Sequence, residues 1–136
     1  MSNVVAGVGR GQLKVLDQRV NKKQYIYNYY KENLKDIKDI EFMPINDWNN
    51  PNCWLTSIIL KGKIKPIDII EALEKENIES RPIWKPMHIQ PFFEQYDYVG
   101  ENIRENIFEN GLCLPSDTKL TVAQLDEIIK LIRGLW

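Results

Sequence analysis

A helical pattern running from residue 5 to residue 34 constrains this chain more than any other feature. Leu13, Leu16, Val20, Tyr27, Tyr30 and Leu34 recur at helical spacing and line one face, while Lys14, Asp17, Lys22 and Lys31 occupy the opposite one. A helix of about 25 residues is roughly 37 Å long. That is more than a compact domain of 136 residues can cover. The uncovered stripe predicts self-association, with a dimer built on helix 8–34. At the N-terminal end "AGVGRGQL" crowds Gly7, Gly9 and Gly11 together. Each glycine costs about 1 kcal/mol against alanine in a helix interior, so the run predicts close backbone approach or a tight turn.

Beyond the helix, the Asn-rich "NDWNNPN" (46–52) reads as turn chemistry. "CWLTSIIL" (53–60), between Pro51 and Gly62, reads as a buried strand. Pro66 suits the first turn of a helix with Ile67, Ile70 and Leu73 as its apolar stripe and Asn77 as its end. "IESRPIW" predicts an edge strand, because Pro82 would break an interior ladder. A short helix over 101–110 and a short strand "GLCLP" (111–115) follow. Thr121 with Gln124 forms a capping box before Val122, Leu125, Ile128, Ile129 and Ile132, a terminal amphipathic helix. The order predicts an α+β fold: a small, mainly antiparallel sheet with helices on one face.

A net charge of −1 with both signs interspersed leaves no electrostatic footprint for nucleic acid or an acidic membrane surface. No apolar run reaches membrane-spanning length and no secretory leader is visible, so the chain reads as cytoplasmic. Cys53 and Cys113 each sit in an apolar run and read as buried free thiols, with one structural disulfide as the alternative. A single histidine and two separated cysteines give no metal site.

The chemistry that is present gathers in "ESRPIWKPMHIQPFF" (79–93), which holds Pro82, Pro86, Pro91, Trp84, Lys85 and the only histidine, His88. The prolines make it a stiff loop. Lys85 and His88 held close by prolines could clamp an anion or a hydroxyl. A lone histidine is more often a satisfied structural residue than a catalytic one, and Trp84, Phe92 and Phe93 are either a stacking wall or core anchors. Arg81 beside Glu79 reads as an ordinary ion pair. Tyr25, Tyr27, Tyr29 and Tyr30 span both faces of the long helix and point to an interface. Asp36, Lys38 and Asp39 read as a solvated face. "GVGRG" lacks the preceding strand and downstream acid of a dinucleotide loop, and close helix packing is its better reading. No nucleophile–base pair is assembled, so no residue is assigned a catalytic role.

"MSNVVAGVGRGQLKVLDQRV", "ESRPIWKPMHIQPFF" and "FENGLCLPSDTKLT", in this order and spacing, resemble the C-terminal third of DegT/DnrJ/StrS-type sugar-nucleotide aminotransferases. These are pyridoxal-phosphate enzymes of the aspartate aminotransferase fold, and the likeness is nearest to the UDP-bacillosamine type. The resemblance implies that 1–35 is an interdomain linking helix and 36–136 the small C-terminal domain. The large cofactor-binding domain, with its Schiff-base lysine, would lie upstream, and Met1 would be an internal methionine. None of the lysines here maps to that lysine, so the chain alone is expected to bind no pyridoxal phosphate and to be inactive.

The resemblance further implies that 84–91 reaches the active site across a dimer interface. His88, Lys85 and Trp84 would contact the nucleotide sugar, and the partner of His88 would lie on a part of the protein outside these residues. Arg10 lies near the family's interface arginines without matching one. The complete enzyme would move an amino group, usually from glutamate, to a nucleotide-linked keto sugar in polysaccharide or glycan biosynthesis. The rival readings are a truncated paralogue acting as an interaction module and a structural-only gene fragment.

Overall fold

A computed structural model describes residues 2–136. Five helices and four strands follow the order α1 (Asn3–Leu13), α2 (Leu16–Leu34), β1 (Ile40–Phe42), β2 (Thr56–Leu60), α3 (Pro66–Glu74), β3 (Arg81–Pro82), α4 (Ile103–Asn110), β4 (Gly111–Leu114) and α5 (Val122–Arg133), with a 3₁₀ turn at Met87–Ile89. The strands form one antiparallel sheet in the order β1-β2-β4-β3. This is the α+β arrangement that the element order predicts.

Alternation along β2 decides the layering. Thr56, Ile58 and Leu60 are buried and share a face with Leu112 and Leu114 of β4. Against that face pack Ile26, Tyr30 and Leu34 of α2, Ile69 and Leu73 of α3, and Leu125, Ile128, Ile129 and Ile132 of α5. The capping box of Thr121 and Gln124 is formed and starts α5. Asn77 ends the α3 segment in the left-handed region at φ 58°. Its N–H donates to Glu74 O at 2.9 Å and that of Ile78 to Leu73 O at 3.0 Å, which closes a Schellman motif.

Several elements depart from the expectations. The long helix is two: Lys14 and Val15 interrupt it, with Val15 at φ −115°, ψ 5°. No residue of α1 is buried, and Leu13 and Leu16 are exposed. With no packing to hold the two segments in line, a non-helical residue between them costs little. The apolar stripe becomes a core face only from Ile26 onward. Nothing lies within 4 Å of where a side chain at Gly7, Gly9 or Gly11 would begin, so within this chain the close approach is absent.

The strand expected at 53–60 begins only at Thr56, because Cys53 adopts φ 49° and breaks the extended run. β1 pairs with β2, a strand with no sequence signal, since three residues show too little alternation. In α3 the buried stripe is Pro66, Ile69 and Leu73, while Ile67 is exposed.

Three of the four tyrosines brace the chain against itself, as do Asp36, which stays on the solvated face, and Asp39. The Tyr27 hydroxyl donates to Met43 O, that of Tyr30 to Pro115 O and that of Tyr29 to Asp126. Asp36 pairs with Arg133, whose guanidinium also donates to Asn33 O, and Asp39 accepts from the Trp136 indole. The α2–α5 packing brings Tyr29 to Asp126 and Asp36 to Arg133 across 97 residues, a distance that sequence spacing cannot encode.

β4 is buried at every position and paired on both edges. Gly111 faces away from the core cluster, and a β-carbon there would lie 2.2 Å from the Ile107 carbonyl and 2.4 Å from Ile83 Cγ1. The missing side chain is what lets the end of α4 lie against the strand. Gly111→Ala therefore forces a backbone atom to move, and urea unfolding is expected to show a loss of about 1–3 kcal/mol.

Candidate functional site

The segment after β3 is held by its own backbone chemistry. Pro82 closes the two-residue strand, Pro86 precedes the 3₁₀ turn and Pro91 follows it. Within it the Gln90 side chain donates to Lys85 O at 3.0 Å and its backbone N–H to Met87 O at 3.0 Å. A rigid loop results without burial of its backbone.

The loop divides the three predicted residues. His88 turns inward, its side chain only 13% exposed. Its ring stacks on Tyr98 with centroids 3.7 Å apart and planes 7° from parallel. Its Nε2 lies 2.5 Å from Glu105 Oε1 of α4. The expectation that its partner lies outside these residues is thus corrected: seventeen residues on, the chain provides a carboxylate. Backbone N–H donation within Glu105 and the His88 imidazole hold the Glu105 carboxyl below the usual carboxylate range. The second oxygen of Glu105 is shielded from water and has no partner among the described residues.

Trp84 and Lys85 face solvent. Among the described residues the Lys85 ammonium has no hydrogen-bond or ion-pair partner. Trp84 leans on Trp54, with centroids 6.3 Å apart and planes tilted 30°. The two indoles wall an open cleft of about 420 Å³ over the end of β4, with Arg81, Ser80, Cys113 and Pro115 in its lining. The Ser80 hydroxyl is buried and unpaired, while Arg81 is engaged with Glu79 as expected.

Lys23 of α2 fixes the cleft's far side by donating to Trp54 O at 2.9 Å and Ser116 O at 2.5 Å. Burial lowers its pKa, opposed by Asp117. Cys53 and Cys113 are free and buried. Glu105, Tyr98, Trp54 and Lys23 escaped sequence reasoning because their roles depend on contacts across loops and not on spacing.

These residues could hold a hydroxyl or an anion, through His88 and Lys85, beside an aromatic surface. Lys23, the amine whose pKa burial lowers, already donates to two carbonyls and is not free to engage pyridoxal phosphate. No group of three or more His, Cys, Asp or Glu among the described residues is placed to hold a metal ion. No described helix is long and apolar enough to cross a membrane.

The sequence profile of the DegT/DnrJ/EryC1/StrS aminotransferase family matches residues 1–133. EpsN of Bacillus subtilis (strain 168), which carries the name of a pyridoxal phosphate-dependent aminotransferase, is 38% identical over 140 residues, covering 100% of this chain and 36% of its own. A GDP-perosamine synthase of Escherichia coli O157:H7 is 26% identical over 136 residues, covering 100% of this chain and 36% of its own. A DegT DnrJ EryC1 StrS aminotransferase from Brucella abortus superposes with a TM-score of 0.80 at 26% identity, over 92% of this chain and 33% of that one. The chain spans about a third of the length of these relatives.

The Glu105 pairing has a pH signature. A carboxyl whose folded-state pKa is lowered stabilises the fold above its ordinary value, and the contribution is lost as pH falls through the lowered one. The stability of Glu105→Gln is expected to depend less on pH than that of the parent below about pH 4.3, read from denaturant midpoints across an acid series.

Proposed function

Because the chain belongs to the DegT/DnrJ/EryC1/StrS aminotransferase family, we propose that its 136 residues are the small domain of a pyridoxal-phosphate-dependent aminotransferase acting on a nucleotide-linked keto sugar. The match over residues 1–133 carries this reading. The names of EpsN and the perosamine synthase favour it. In it, residues 1–35 link to a cofactor domain and 36–136 form the small domain. The cofactor, held by that other domain, supplies the carbanion-stabilising chemistry of amino transfer, from glutamate as donor. The chain alone is inactive.

The residues here bind and orient. Lys85, exposed and unpaired on a stiff loop, meets a phosphate oxygen of the nucleotide. His88, fixed by Glu105 and Tyr98, holds a hydroxyl or phosphate oxygen, and Trp84 lays an indole against the substrate. Because proline geometry orders these groups before binding, little entropy is lost when they engage. The free thiols Cys53 and Cys113 suit a reducing cytoplasm.

The test is a chimera in which this chain replaces the matching third of EpsN, assayed for amino transfer from glutamate to nucleotide-linked keto sugars. Activity in the chimera and none in the chain alone with pyridoxal phosphate is the expected pair of results. His88→Ala and Lys85→Ala should each raise KM about tenfold or more, the scale of one charge-assisted hydrogen bond. Transamination by the chain alone would refute the division of labour, and unchanged KM values would refute the site.

The alternative of an interaction module draws on α1, where Val4, Val5, Val8 and Leu13 are exposed. In our reading this surface is for a second copy in the assembled enzyme. Light scattering of the chain is expected to show a dimer that Val8→Asp weakens, and a monomer at high concentration counts against it.

A further inference from the structure

Burying His88 does not require the geometry that surrounds it. An ionised carboxylate only accepts hydrogen bonds, so at 2.5 Å from Glu105 Oε1 the Nε2 atom must be the donor. A neutral ring then keeps its lone pair on Nδ1. The ring plane is fixed independently. Tyr98 lies flat against it, with its hydroxyl donating to Glu101 O at 3.2 Å and the Arg104 guanidinium 5.8 Å above the tyrosine ring. Gly100 leaves room for Tyr98 to fold back: a β-carbon there would lie 2.3 Å from the tyrosine oxygen and 2.6 Å from Cζ.

We propose that Glu105 is a positioning residue: it locks His88 as the Nε2–H tautomer and so dedicates Nδ1 to accepting a hydrogen bond from a hydroxyl of the bound sugar nucleotide. Tyr98, seated by Gly100, fixes the direction in which Nδ1 presents its lone pair. The role rests on the reading of His88 as a substrate contact, whereas the tautomer lock can be measured without substrate. Glu79, at the start of the loop, does not substitute for Glu105, since it is held by Arg81.

The only histidine in the chain makes the measurement direct. Long-range proton–nitrogen correlation spectra of the labelled 136-residue chain at about pH 8, above the ordinary imidazole value, report both ring nitrogens. A peptide spanning the same loop sequence serves as the reference. The expected result is an Nε2–H form favoured beyond the peptide ratio by about tenfold or more, as a charge-assisted hydrogen bond requires. Glu105→Ala should relax the ratio to that of the peptide. Gly100→Ala should leave the tautomer in place and shift the histidine ring protons as the stacked tyrosine departs. A parent ratio equal to that of the peptide overturns the lock, whether or not the variants fold.

In the EpsN chimera, Glu105→Ala should raise KM by the same factor as His88→Ala, and the double variant should add nothing. Normal KM in Glu105→Ala, with KM raised in His88→Ala, overturns the positioning role. Unchanged KM in His88→Ala overturns the substrate-contact reading and this role with it, while the tautomer ratio still reports the lock separately.

Discussion

The double pairing of Gly111–Leu114 is the constraint on which the rest of the structure depends. β4 is bonded to β2 on one edge and to β3 on the other, and all four of its residues are buried. Leu112 and Leu114 enter the core beneath α2, α3 and α5, while Gly111 leaves room for the end of α4 on the opposite face. A one-residue slip would send both leucines to the wrong face and thrust a side chain into the Ile107 carbonyl. Register is therefore set by packing on both faces, and no neighbouring strand could impose it alone.

The candidate site inherits its geometry from that strand by two routes. β3, only two residues long, is held against β4 through Arg81 and Pro82, and the proline segment bearing His88 starts there. α4 runs directly into β4 and bears Glu105. The imidazole and the carboxylate meet because both elements hang from the same four residues. Tyr98, on the connection between them, closes the remaining side of the ring. A contact between residues seventeen apart is thus a consequence of sheet order and not of local sequence.

This explains what could be read in advance and what could not. The capping box at Thr121, the helix opening at Pro66, the Asn77 terminus and the edge position of Pro82 are local effects of dihedral preference and hydrogen-bond supply, and the structure has them all. The continuity of the first helix was not legible. Periodicity shows where an apolar stripe lies but not whether anything covers it, and α1 buries nothing. Tyr27 and Tyr30 misled for the related reason that a hydroxyl reaching a loop carbonyl looks, in sequence, like one reaching another molecule. Trp84, Lys85 and His88 could be picked out by their company of prolines, yet only His88 is held inside the fold, and its holder was invisible until α4 was placed.

The contrast among those three residues bears on how a loop outside the core can present ordered side chains. Side chains at a protein surface usually lose rotamer freedom when they bind, at a cost that offsets much of what they gain. Here the backbone of 82–91 is stiffened by three prolines and by Gln90, so it is ordered without a core beneath it. Trp84 adds contact with Trp54, and His88 adds a stack and a carboxylate. Of the three, Lys85 alone has no partner among the described residues, which suits a point charge and not a directed hydrogen bond. Rigidity is graded from the imidazole held by Glu105 and Tyr98, through the indole resting on Trp54, to an ammonium with no partner among the described residues, so directed hydrogen bonding and point charge reside on different groups.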